Sequence, residues 1–474
     1  MTNSSVAELI GILIKSYMPK LFFLISILTS FSVFGDYNRA VEIYDSGDYE
    51  KAISLFKAQA EIGDDRSLFN FGVMTYLGHG TKKNNAKAYV LVKISNENKY
   101  DEQNARVEAT IYRELSETGQ TKATSLYKEL SIKYKTENIH SNVFPKLLSD
   151  EDCIPPIKPK AQGIPIYPRS MQINGIIGIV PVEHTISPNG YPRDVLILDA
   201  TNKDFRNSAL RAIEKTIFSK TSDDRPIFGY QSVYTFKMKK PSSLSHLKDK
   251  LNEILKKARD NDPIAQYQYA DYLGILRFFR KELKNIDVEF QTQNEWLIRS
   301  AQGGIPNAQF KLGQNMLQGR GCAVDRVAGL KWITAAASSG FTPAQNLLAR
   351  SMIEDRGLNN RGKAKKILED ASENGDFYSM IMLAWELVTH EDVKSENGVR
   401  ALNLMKSDSG NYYDDIRVEE TKAAAYAAIG NFSRAVTHQK KALRISKSRK
   451  WKIPKISERL SLYQNEKRYV GRYF

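Results

Sequence analysis

Apolar positions along most of the chain fall at helical spacing, and the pattern itself repeats. Trp296 recurs as Trp332, Ala301 as Ala337, Gly304 as Gly340, Ala308 as Ala344, Gln309 as Gln345 and Leu312 as Leu348, each at an offset of 36. A third copy, at an offset of 35, runs Ile367, Gly375, Ser379, Leu383. A period of this size predicts helical hairpins that bury their apolar faces only by stacking. Each unit offers an amphipathic helix ending in Gly, a second helix with small residues, and a turn such as Gln318-Gly319-Arg320-Gly321. Alanine at the crossings lets helices approach closely, and glycine supplies the positive φ that ends them.

Residues 155–240 break this pattern. A proline-lysine run (Pro155, Pro156, Lys158, Pro159) leads to Ile166-Tyr167-Pro168, and the spacing then changes from helical to alternating. Gly178–Ile186 reads as a strand with Val180, Val182, His184 and Ile186 on one face and Ile179, Pro181, Glu183 and Thr185 on the other. Ser187-Pro188-Asn189-Gly190 is a tight turn. A strand at Val195–Leu198, a helix at Asp204–Ile217 with Phe205, Ala209, Ala212, Ile213 and Ile217 on one stripe, and a strand at Tyr230–Met238 follow. Three strands with one covered face leave edges that proteins hide or use to pair with an incoming strand.

The repeat residues Ala308, Leu312-Gly313, Gly319, Gly321, Asp325, Ala328, Trp332, Ala335-Ala336 and Gly340 resemble the Sel-like repeat, a relative of the tetratricopeptide repeat. A weaker copy near the N-terminus comprises Ala52, Gly63, Phe71-Gly72, Tyr76, Gly78-His79-Gly80 and Ala88. Ala424 to Phe432, with Ala435 and Lys441-Ala442-Leu443, resembles an ordinary tetratricopeptide unit. Between the N-terminal copy and the break, Ala105–Leu115 and Thr121–Tyr134 read as charged amphipathic helices, and His140 to Cys153 as a connecting loop.

The order Tyr-Pro, Gly-led strand, Ser-Pro-Asn-Gly, strand, Phe-x3-Ala-Leu helix, strand is similar to the TonB C-terminal domain over 163–238. The resemblance implies an exported protein of a Gram-negative bacterium, a two-layer α+β module and partner binding without catalysis. Domains of that family bind a short extended box of outer-membrane receptors by strand addition. Carried over, the expected contacts are Ile164, Ile166, Tyr167 and Arg169 before the first strand and Tyr230, Gln231, Val233 and Thr235 on the last. The chain also departs from the family. His184 takes a core strand position, Thr216 stands where a tryptophan is expected, Lys220 stands for a proline, and the long Pro/Lys spacer shrinks to 155–160.

Composition narrows the picture. With 474 residues, 42% of them hydrophobic and 26% charged, the chain has material for several cored domains and is not of disordered composition. Two cysteines, Cys153 and Cys322, exclude a disulfide framework and cysteine-pair zinc sites, while one bridge between them stays open. The net charge of +15 is concentrated: residues 437–474 hold twelve Lys/Arg against Glu458 and Glu466, a net +10. Such a tail suits an anionic envelope polymer or lipid, or simply a solvated face. Lys15 and Lys20 precede a fourteen-residue apolar run, Leu21 to Phe34, which ends Val33-Phe34-Gly35. That is the pattern of an export signal, too short for a bilayer core of about 30 Å. The family's membrane anchor carries a functional histidine, and this run has none.

No pattern for catalysis emerges. His79, His140, His184, His246, His390 and His438 stand at no metal-ligand spacing, and the Gly-x-Gly turns at 78–80 and 319–321 follow helices rather than strands. His184 reads as a core histidine, since Glu183 beside it faces the opposite way. The expected architecture is α+β multidomain: a signal or anchor (1–35), a helical repeat segment (36–150), a TonB-like module with a three-stranded antiparallel sheet (155–240) and a Sel-like solenoid (245–474). The expected function is non-enzymatic, cofactor-free and metal-free protein–protein interaction at the periplasmic face of the envelope. A membrane-anchored energy transducer and a scaffold bound through the basic tail are the alternatives. Nucleic acid is not an expected partner.

Overall fold

The computed structural model describes residues 36–149, 157–174, 178–197, 203–221, 227–237, 244–276, 290–354, 358–406, 416–448 and 454–471. The signal or anchor segment, Cys153, Pro155, Pro156, Leu198 and Met238 lie outside them. None of the described helices is long and apolar enough to cross a membrane. The chain divides between Phe144 and Pro145 into two compact units.

The first unit is helical: α1 (Asp36–Asp45), α2 (Tyr49–Ala60), α3 (Asp65–Leu77), α4 (Asn85–Asn98), α5 (Glu102–Arg113), α6 (Glu117–Tyr134) and α7 (Thr136–Val143). Short polar residues cap successive starts. Asp48 accepts from Lys51 N, Asp64 from Ser67 N, Asn84 from Lys87 N and Asp101 from Asn104 N. Leu55, Phe56, Leu68, Leu91 and Ile94 form its core. His140, expected in a loop, lies in α7. His79 stacks on Tyr49 at 4.2 Å and its Nδ1 pairs with Tyr44 Oη at 3.0 Å.

The second unit contains both the α+β module and the C-terminal repeats. The module runs β1 (Pro159–Ala161), α8 (Arg169–Ile173), β2 (Gly178–Ile186), β3 (Pro192–Ile197), α9 (Lys203–Ile213), β4 (Ile217–Phe218) and β5 (Ile227–Phe236). The sheet order is β3-β2-β5, antiparallel throughout, and β1 and β4 pair as a separate ribbon. Pro192 is the first residue of its strand, where a missing N–H does least harm. The Ser187 carbonyl accepts from Gly190 N at 2.8 Å, with Gly190 at φ +82°.

The module's helix ends four residues before the sequence pattern suggests. Ile217 leaves the stripe, joins β4 and is 40% exposed. The break follows from Thr216, whose hydroxyl bonds the Ala212 carbonyl (3.1 Å) and Tyr234 Oη (3.0 Å) and accepts from Gly163 N (3.0 Å). Phe205, Ala209, Ala212 and Ile213 then pack on Val180, Val182, Tyr234 and Phe236. Phe205 and Phe236 stack at 4.3 Å, and Tyr167 meets both edge-on at 5.7 and 5.6 Å.

The repeats follow as α10 (Leu244–Arg259), α11 (Pro263–Leu276), α12 (Phe290–Gln302), α13 (Pro306–Gln318), α14 (Arg326–Ser338), α15 (Thr342–Glu354), α16 (Leu358–Glu373) and α17 (Phe377–Val388). Then come α18 (Ser395–Leu404), α19 (Ile416–Ala428), α20 (Phe432–Ser448) and α21 (Pro454–Gln464). The repeated alanines do what their size suggests: Ala308 and Ala344 are fully buried at equivalent crossings. Gly313 and Gly329 bring α13 and α14 into backbone contact, since a Cβ on either would lie within 3.0 Å of the other's carbonyl oxygen.

Gly163 anchors the segment that leads into the sheet. A Cβ there would lie 1.9 Å from the Ala212 carbonyl oxygen, which is backbone and cannot yield cheaply. Gly163→Ala is expected to lower unfolding free energy by about 2 kcal/mol or more. Gly362→Ala, in α16 with nothing within 4 Å, is expected to raise it by about 0.5–1 kcal/mol. Urea unfolding of the two variants checks both signs.

Candidate interaction site

The alternation of β2 sends two sets of side chains in opposite directions, and both are buried. One set meets α9. The other meets the repeats: Ile179, with Val233 of β5, packs on Leu251, Ile254, Tyr269 and Leu273 of α10 and α11. Glu183, fully buried, extends from the same face. Its carboxylate accepts from Arg350 Nη2 at 2.9 Å and from Gln314 Nε2 at 2.6 Å, and Arg350 Nη1 also donates to Thr185 Oγ1 at 3.1 Å. Burial raises the Glu183 carboxyl above its ordinary range, and the Arg350 guanidinium partly offsets that.

A second ionic contact joins β3 to the last repeats. Arg193 lies 3.5 Å from Glu420 of α19, and Arg459 of α21 donates to the other Glu420 oxygen at 2.6 Å. The Arg459 guanidinium is also held over Trp385 and Tyr469 at 4.7 and 4.6 Å. One cation of the basic tail is therefore an interior residue. Lys441 and His438 pair with Glu419 at 2.7 Å each. Lys440, Arg444 and Lys447 remain exposed along α20, while Arg449, Lys450, Lys452 and Arg472 lie outside the described residues.

The expected contact residues separate into two groups. Before the sheet, Ile164 is 84% and Ile166 72% exposed, Arg169 is exposed, and Tyr167 is half-buried against the module core. Ile166 is held by its backbone, its carbonyl accepting from Ser208 Oγ at 2.5 Å. The residues on β5 have partners within the chain. Tyr230 Oη donates to the Ile157 carbonyl (3.0 Å), Gln231 Oε1 accepts from Arg320 Nη1 (2.8 Å), Val233 joins the cluster with α10 and α11, and Thr235 is half-buried.

Arg350, Gln314, Arg320 and Glu420 are contacts that sequence reasoning did not single out. One signal for them existed. Gln314 and Arg350 are 36 apart, so equivalent positions of successive repeats both point polar groups at Glu183. Repeats agree at their apolar and small positions, whereas this one carries glutamine in one repeat and arginine in the next. Among the described residues no group of three His, Cys, Asp or Glu side chains could hold a metal ion.

His184 is fully buried between Phe218 and Tyr230, each 5.4 Å away, with Nε2 on Ser232 Oγ at 2.9 Å. Burial pulls its imidazole from 6.5 down to about 3. The folded protein thus keeps it neutral, while the unfolded chain protonates it below its ordinary value near 6.5. The stability it contributes is complete above that value and is lost as pH falls toward 3. Unfolding free energy is expected to be about 2 kcal/mol lower at pH 5 than at pH 7 from this group alone. Urea titrations of His184→Gln should show that part of the acid loss removed. Arg350→Met, which strands Glu183, is expected to cost about 3–5 kcal/mol. Adding Glu183→Gln should recover at least about 2 kcal/mol of it, read from a double-mutant cycle.

Comparison with known proteins places this geometry. Residues 164–228 match the family described as Gram-negative bacterial TonB protein C-terminal. Among solved structures, a Sel1 repeat protein from Oxalobacter formigenes aligns with 41% of this chain and 84% of its own, at 18% identity and a TM-score of 0.32. The protective antigen c5321 of uropathogenic Escherichia coli, which displays an SLR fold, aligns with 91% of this chain and 83% of its own, at 15% identity and a TM-score of 0.32. No curated protein matches. The TonB family is one of envelope proteins that act by protein–protein interaction. Residues 164–228 thus match a TonB C-terminal domain, which lies in one compact unit with the helical repeats that follow it.

Proposed function

We propose that the protein works in the periplasm as a non-enzymatic adaptor, binding an extended segment of an envelope protein through its TonB-like module. The observation that carries this reading is the pair of bare isoleucines, Ile164 and Ile166, at the start of the matched stretch. Gly163 N is bonded to Thr216 and the Ile166 carbonyl to Ser208, which fixes the backbone on either side of the two exposed side chains. The segment is therefore held in place with two apolar side chains outward. It suits a partner whose extended chain lays alternate apolar residues alongside it. Arg169, exposed five residues beyond Ile164, would favour an acidic group at one end of that partner.

The repeats contribute in a second way. Their contacts with Glu183, Gln231 and Arg193 hold the module, so repeats and module would present one surface rather than two independent ones. Deleting the module would expose the apolar surface of α10 and α11 and strand Arg350, so point substitutions make the cleaner test. A photo-crosslinking residue placed at Ile164 or Ile166 in the full chain, expressed in a Gram-negative host, is expected to give a discrete adduct with an envelope protein. The same probe at exposed Tyr100 of the first unit should give none, and Ile166→Asp should abolish the adduct formed from position 164. Adducts only with cytoplasmic proteins, or equal labelling from Tyr100, would reject the reading.

A further inference from the structure

The edges of the three-stranded sheet have occupants from the same chain. Among the described residues β5 pairs with β2 alone, on one side. β5 bulges at Gly229, whose φ is +64°, where its register with β2 shifts between His184 and Ile186. The carbonyls of Gly229 and Gln231 accept from Gln318 Nε2 and Arg320 Nη2. Arg320 Nη1 adds the bond to Gln231 Oε1 at 2.8 Å. On the opposite edge, Tyr378 Oη of α17 donates to the Val195 carbonyl of β3 at 2.8 Å.

The donors on the β5 side come from the Gln318-Gly319-Arg320-Gly321 turn after α13, which is rigidly built. Gly319 and Gly321 hold positive φ (+66° and +62°), Arg320 N donates to the Asn315 carbonyl at 2.9 Å, and Asn294 Nδ2 donates to the Arg320 carbonyl at 2.6 Å. Residues 321–323 pair in turn with 146–148. The two side chains are thus aimed at β5 before any partner arrives. Gly229 completes the fit, since a Cβ there would crowd Leu347 of α15 at 3.0 Å.

We propose that the repeats keep the β5 edge of the module closed in the resting protein, Gln318 and Arg320 occupying the carbonyls that an incoming strand would need. This rests on the reading of the module as a partner-binding element, and goes beyond it by naming what a partner must displace. An extended peptide can take up the outward N–H groups of β5 alone, but a full ladder requires the turn to swing away. The occupant is the backbone of an extended β-strand, and its recognition would depend on uncapping rather than on edge sequence alone.

The test uses the full chain and a fluorescein-labelled peptide copying Ile227–Phe236, a strand former without proline. Affinity is read by fluorescence anisotropy, and the site of binding by amide hydrogen exchange. Gln318→Met, nearly isosteric and lacking the donor, is expected to bind about threefold tighter than the native chain. Gln318→Met with Arg320→Ala is expected to bind at least about tenfold tighter, with new protection on β5 amides. A peptide N-methylated at alternate backbone nitrogens should lose the gain, because it cannot form the ladder. Equal affinity of native and substituted chains, or undiminished binding of the N-methylated peptide, overturns the proposal. If the double variant does not fold, Gln318→Met alone decides. Failure of the crosslinking experiment with success here would leave the closed edge standing and the envelope partner in error.

Discussion

Burying a carboxylate on a strand is costly unless donors meet it, and Glu183 is met by two, Gln314 and Arg350. Because these belong to successive repeats, the position of the strand is tied to the spacing of the helices beneath it. A slip of β2 by one residue would turn Glu183 into the apolar core under α9 and leave Arg350 facing Val182 or His184. The ion pair therefore selects one register and one seat for the module. Net stability gained from such pairs is small compared with the penalty for any arrangement that separates them. That asymmetry favours a unique structure over a loosely docked one.

The same logic is repeated beside it, since Arg193 is the cross-strand partner of Thr185, which Arg350 also bonds. Arg193 reaches Glu420, which also holds Arg459, and all three are buried. The faces of Trp385 and Tyr469 also hold the Arg459 guanidinium. The contact spans more than two hundred residues of sequence, from β3 to the last helices. With Glu183, it ties neighbouring positions of β2 and β3 to different repeats. Apolar packing of Ile179 and Val233 on α10 and α11 holds the other end of β2.

A sheet with both faces covered and both edges hydrogen-bonded differs from a module offered freely at the end of a flexible spacer. On the approach segment Ile164 and Ile166 remain in water. The basic tail is similarly divided by folding. Arg459 is structural, Lys441 is paired, and the exposed stripe on α20 is smaller than the sequence charge suggests. Charge counted along a chain measures an average, whereas a partner meets only the part that reaches the surface.

The sequence by itself determined the repeats, the module and its strand and helix order. Those features are written in periods of 36, 3.6 and 2, and in glycines whose backbone conformations other residues resist. It also marked His184 as interior, because its neighbours along the strand alternate cleanly. Ile217 was misread as helical, because a stripe of apolar spacing does not record that Thr216 ties its hydroxyl back to Gly163, Ala212 and Tyr234. What only the tertiary structure decided was the use of the second face of the sheet. Ile179, Pro181, Glu183 and Thr185 are as compatible with solvent as with burial when read alone. Their fate depended on Gln314 and Arg350, more than a hundred residues away, and local patterning carries no information about which distant polar groups will meet. The closing of the edges by Gln318, Arg320 and Tyr378 is of the same kind: a hydrogen bond to a carbonyl depends on place, and the carbonyl is present at every residue.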